Sequence, residues 1–139
     1  VATFNKFNPL TEDLAEKVHN LGSDTLKVML TNAAPSAANS VKADITEISA
    51  GNGYTAGGTA VTITASSQTG GTYKLVGNDV VFTASGGSIG PLRYAVLYNS
   101  TPAAGNLIGW WDYGSALTLA DGSTLTVDFS ATNGILQIS

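Results

Sequence analysis

The chain has 139 residues, a formal net charge of −4, one histidine, no cysteine and only 12% charged residues. That length fits a single domain over residues 1–139 and buries enough surface to hold a core without metals or disulfides. Thiolate chemistry and disulfides are excluded, and the basic residues Lys6, Lys17, Lys27, Lys42, Lys74 and Arg93 stand singly, which argues against nucleic acid as a partner.

The first element is a helix. Asn8 is placed to cap it, Pro9 suits its first position, and Glu12 and Asp13 suit the positive end of its dipole. Leu10, Leu14, Val18 and Leu21 form one apolar stripe, and Gly22 is a natural stop. The pattern predicts a helix from Pro9 to Leu21, and with the preceding arm it makes an N-terminal unit over about residues 1–22. Phe4 and Phe7 in that arm are apolar where a chain end is normally loose, so the arm is expected to be tied down on its own domain or on another subunit.

Beyond Gly22 the period changes to two. Leu26, Val28 and Leu30 alternate with Lys27 and Met29, a half-buried strand. Residues 32–40 read as a loop, and 41–48 fit a helical turn or a strand equally. Residues 50–58, Ala-Gly-Asn-Gly-Tyr-Thr-Ala-Gly-Gly, read as a long flexible loop carrying Tyr54. Val61 and Ile63 open the next strand. Tyr73 and Leu75 lead into Gly77-Asn78, a hairpin signal, followed by Val80 to Ala84. Leu92, Tyr94, Val96 and Tyr98 are expected on one strand face. Leu107 to Tyr113 follows, with Trp111 and Tyr113 on the face of Leu107, and Trp110 on that of Ile108 and Asp112. Asp121-Gly122 and Asn133-Gly134 mark turns around the last strands. The sum is a mainly β chain: an antiparallel, jelly-roll-like sandwich of about eight strands with one N-terminal helix.

Chemistry is sparse. His19 falls near the end of the expected helix, where the dipole favours a charged imidazole, but catalysis would need a nucleophile and an orienting carboxylate around it. The glycine-rich loop lacks the spacing and the following Lys-Ser or Lys-Thr of a phosphate cradle. The scattered Asp and Glu residues show no metal-ligand spacing. No catalytic residue, cofactor or metal site is therefore expected. Trp110, Trp111 and Tyr113 are the strongest surface candidates, as anchors of an interface or as a platform for a sugar ring. With Phe4, Phe7 and Tyr54 they make up the candidate interface set. No apolar run approaches the ~20 residues that span a bilayer, so no membrane partner is expected. The opening residues lack a signal-peptide pattern and predict a product made in the cytoplasm.

Several runs carry a resemblance. Ala2-Thr3-Phe4-Asn5-Lys6-Phe7 and Ala15-Glu16-Lys17-Val18-His19-Asn20-Leu21-Gly22-Ser23-Asp24-Thr25-Leu26-Lys27-Val28 are two of them. Thr72-Tyr73-Lys74-Leu75, Ala84-Ser85-Gly86-Gly87-Ser88, Arg93-Tyr94 and Ile108-Gly109-Trp110-Trp111-Asp112-Tyr113-Gly114 are the others. Together they resemble small virion structural proteins of tailed bacteriophages, of the capsid decoration (cement) type. That resemblance implies a non-enzymatic protein on the virion surface, a homotrimer bound to the major capsid protein. The alternative expectation is a tail-fibre or receptor-recognition module that binds host glycans. A glycan hydrolase with an acid pair hidden by the sequence order is the third.

Overall fold

The computed structural model describes residues 2–139; Val1, at the start of the expected arm, lies outside them. The fold is mainly β, an antiparallel sandwich. Its strands are β1 (Phe4–Lys6), β2 (Leu26–Thr31), β3 (Thr59–Ala60), β4 (Ile63–Thr69), β5 (Thr72–Gly77), β6 (Val80–Thr83), β7 (Ile89–Asn99), β8 (Leu107–Leu119), β9 (Thr124–Val127) and β10 (Leu136–Ile138). One layer is a five-stranded sheet in the order β1-β8-β7-β2-β3. A three-stranded sheet, β10-β5-β4, and a two-stranded ribbon, β6-β9, supply the opposing residues.

The layers meet in one core. Leu26, Val28 and Leu30 of β2, Leu97 of β7 and Ile108 and Trp111 of β8 pack with Leu75, Phe82, Val127 and Leu136. The five-stranded sheet is also covered on its other face, where Phe7, Met29, Val96, Tyr98 and Leu107 form a second cluster with Ile45 and Trp110. A sheet buried on both faces reads as a continuous apolar run rather than an alternation. This is why β2, expected to be half-buried, has only Lys27 partly open to solvent.

The helix is shorter than its apolar stripe. Helix α1 spans Leu10–Ala15, with Pro9 at its N-cap and no side-chain cap. Lys17 then adopts φ 67°, its N–H bonds Leu14 O and the Val18 N–H bonds Asp13 O. This is a Schellman ending with lysine at the left-handed position where glycine is usual. Val18, His19 and Leu21 lie beyond the helix.

Two further expectations are corrected. Gly77-Asn78 joins no hairpin: β5 pairs with β4 and β10, while β6 pairs with β9. There the chain crosses between sheets, held by the Asn78 N–H on Thr62 O and the Phe129 N–H on Asp79 Oδ1. The hairpin lies one strand earlier, between Thr69 and Thr72, where Gly70 (φ 59°) and Gly71 (φ 87°) make a type I′ turn. Side-chain faces also shift. In β8, Leu97 pairs with Gly109 and Tyr98 with Leu107, so Ile108 is an extra, bulged residue. The bulge puts Leu107 with Trp110 in the second cluster and Ile108 with Trp111 in the main core, the reverse of strict alternation. A second irregularity separates Leu92 from Tyr94 in β7. It sends Leu92 to the main core, whereas Val96 and Tyr98 face the other way.

Candidate functional site

The aromatic set does not converge. Trp111 is buried between Phe4, in an edge contact at 5.4 Å, and Phe129 at 5.5 Å. Trp110, half-buried on the opposite sheet face, packs on Phe7 at 4.6 Å, and Phe7 has no exposed surface. Tyr113 is half-buried against the main core, and burial followed by the nearby Asp128 charge pushes its hydroxyl up to about 12. Phe7, Tyr54 and Trp111 are therefore corrected from surface candidates to interior residues. Phe4 and Tyr113 stay partly open on the main-core face beside the buried Trp111, while Trp110 stays partly open on the opposite face, so Trp110, Trp111 and Tyr113 offer a sugar no common platform. The arm is tied down by its own domain: β1 pairs with β8, Phe4 opposite Trp111.

The glycine-rich loop is pinned rather than flexible. Tyr54 is buried, its hydroxyl donates to Glu47 Oε2 at 2.5 Å and accepts the Leu30 N–H at 3.0 Å. The same carboxylate oxygen accepts the Gly57 N–H at 2.6 Å, and the Tyr98 hydroxyl donates to Gly57 O at 2.5 Å. Burial first, then the Glu47 hydrogen bond, raises the Tyr54 pKa far above its ordinary value. A buried polar group is tolerated when its partners are met, and here they are. Nothing in the order of residues 47–57 announces this network; a lone tyrosine among glycines was its only trace.

His19 is buried outside the helix. The Asn99 amide nitrogen donates both to His19 Nδ1 at 3.0 Å and to Asp24 Oδ2 at 2.6 Å. Asn99 Oδ1 accepts the Thr101 N–H, and Asp24 Oδ2 also accepts the Asn20 N–H. With Nδ1 accepting, the ring proton belongs on Nε2, which has no hydrogen-bond partner and lies 3.8 Å from Asp13 Oδ2. Desolvation depresses the His19 pKa, with Asp13 and Asp24 opposing it less strongly. This corrects the expected dipole-favoured, charged imidazole. Its role here is to fasten the segment after α1 to the end of β7.

The remaining carboxylates mostly hold backbone. Asp44 accepts the Ser40 and Val41 N–H groups, which lower its pKa, and Asp121 accepts the Gly86 N–H. Arg93 grips Asp112 through two bonds of 2.8 and 3.1 Å, lowering the carboxyl pKa and raising that of the guanidinium. Among the described residues, no group of three or more His, Asp or Glu side chains gathers where a metal could sit. Nor, among the described residues, is any helix long and apolar enough to cross a membrane.

An open groove of about 570 Å³ lies between residues 46–52 and 88–91, the latter containing the cis Gly90–Pro91 bond. Glu47 on its wall is already engaged, and no second ionisable side chain lines it. The β4–β5 hairpin stays open at the surface, its first strand exposed from Thr64 to Thr69. Comparison with protein-family models, with curated proteins and with solved structures gives no match for this chain.

Proposed function

We propose that this chain is a structural protein of a phage virion, of the decoration type, that binds the outer face of the capsid and stabilises the head. The observation that carries this reading is where the reactive side chains go. His19, Glu47, Asp44, Asp121, Arg93 and Asp112 all serve contacts within the chain, and the surface they leave is built of loops and small polar residues with Lys6, Glu12, Glu16, Lys17 and Asp128 exposed among them. Such a surface works by contact and shape. The sequence resemblance supplies the partner, a major capsid protein, and the site, the particle exterior. The physical mechanism is linkage: a protein that binds the assembled shell and not the separated subunits lowers the free energy of the shell. At a free concentration of 100 times Kd the gain is about 2.7 kcal/mol per site.

The test is a heat-release assay on particles with and without the protein. Added protein is expected to raise the temperature at which shells release DNA, saturating at a fixed ratio to capsid subunits. Unchanged release temperature at saturating protein would contradict the proposal.

A further inference from the structure

We propose that the free edge of β4 is a self-pairing surface, through which two copies of this chain join their three-stranded sheets into one six-stranded sheet. β4 is paired on one side only. Proteins normally blunt such edges by keeping them short, by charge, by proline or by bulges. Among the described residues, the other terminal strands of the sheets run from two to four residues: β1, which ends in Lys6, β3, β6, β9 and β10; β8 is also unpaired on its β1 side beyond Trp111, where it carries the charged Asp112. β4 has seven residues, Ile-Thr-Ala-Ser-Ser-Gln-Thr, with no charge and no proline, and its one irregularity lies at the Ile63 end. From Thr64 to Thr69 it is exposed on both faces, so the body of the molecule does not block a strand laid beside it.

The turn fixes which backbone groups are free. In a two-residue type I′ hairpin the residues flanking the turn, Thr69 and Thr72, form a hydrogen-bonded pair. Ser67–Lys74 and Ala65–Val76 bond in the same way, so Ser66 and Gln68 aim their N–H and C=O groups outward. Two antiparallel β4 strands placed about a two-fold axis at Ser67 bring Ser66 opposite Gln68 of the partner subunit, and the reverse. All four outward groups on each strand are then satisfied.

That register also keeps the inner faces aligned. Gln68, Tyr73 and Ile138 form one row across the sheet, and Ser66, Leu75 and Leu136 the next. Pairing continues the first row of one copy into the second row of the other. Ser67 faces Ser67 of the partner subunit, so no like charges meet. On the outer face the nearest cations, the two Lys74 side chains, stand three strand spacings apart, about 14 Å. That exceeds the roughly 8 Å screening length at physiological salt. Lys17 lies on the inner side, in the groove that Ser66 lines. A second copy therefore fits this edge in register and face, with no like charges opposed on the outer face. The arrangement is two-fold and departs from the homotrimer that the sequence resemblance implies.

The experiment is sedimentation of the full chain over a concentration series, with three variants. The wild type should sediment as a monomer–dimer equilibrium. S67K sets two lysines face to face and should weaken dimerisation by about fivefold. S66P removes an outward N–H from each copy, leaves the β4–β5 backbone ladder intact while losing the Ser66 Oγ–Tyr73 hydroxyl bond, and should weaken dimerisation by about tenfold or more. Thermal unfolding of each variant checks that the domain stays folded. Mixing S67K with S67D should restore a dimer, now a heterodimer, because position 67 faces itself. A wild type that is monomeric at every concentration overturns the proposal. So does a trimer, or an oligomer that both S67K and S66P leave intact.

Discussion

Asn99 spends both of its amide hydrogens inside the fold, one on His19 Nδ1 and one on Asp24 Oδ2. A proton added to Nδ1 would meet a donor where it needs an acceptor, and the imidazole is buried. His19 is thus held neutral, with its pKa below the ordinary 6.5. The sign follows: above 6.5 both folded and unfolded chains carry a neutral ring, and the stability from this site is complete. As pH falls below 6.5 the unfolded chain takes up a proton that the folded chain refuses, so stability is lost towards the folded pKa. Because His19 is the sole histidine, the range from pH 7 to 5.5 isolates it from the carboxylates. The melting temperature is expected to fall across that range, and H19Q is expected to flatten the slope. A melting temperature that climbs on acidification over the same range would refute this assignment.

At the scale of elements, irregularities decide what each strand does. The bulge at Ile108 carries Gly109 under the arm, where a Cβ would stand 2.7 Å from Asn5 O and closer still to the Phe4 ring. G109A should therefore lift β1 from the sheet and cost about 2 kcal/mol. Amide hydrogen exchange at Phe4–Lys6 would accelerate in the variant, and unchanged protection there would refute the contact. The same irregularities mark where the sequence stops being readable. β2 and β7 were legible from their alternation and β8 from its run Leu107 to Tyr113, and so were the turns at Asp121-Gly122 and Asn133-Gly134. A bulge is invisible to a period of two, so the partners of Leu107 and Ile108 came out reversed. α1 was overextended because its stripe continues through Val18 and Leu21 while Lys17 takes the position where a glycine would have announced the end. The hairpin was misplaced because Gly70-Gly71 and Gly77-Asn78 carry similar local signals. Only pairing across the sheet separates them. Asn99 and Glu47 left no local signal at all, since their partners are distant in the chain or hidden in a loop.

Across the whole molecule, the five-stranded sheet is a wall with a core on each side. Phe7 closes the second core over Met29, Val96, Tyr98 and Leu107. F7A should cost about 3–5 kcal/mol of folding stability in urea titrations of dilute protein, where assembly cannot contribute. A loss that appears only when the protein is concentrated would return Phe7 to an interface role. With the aromatic residues largely spent on packing, what the molecule presents outward includes the uncharged strand β4, pinned loops and few exposed apolar side chains, Val81 and Ile138 among them.

That surface is proposed to act on a capsid lattice, and imaging the intact particle at a resolution that separates capsid subunits tests it most directly. The account predicts density for this chain repeated over the outer shell, touching the major capsid protein at every equivalent lattice position. Density confined to the tail, or none on the head at all, would contradict it.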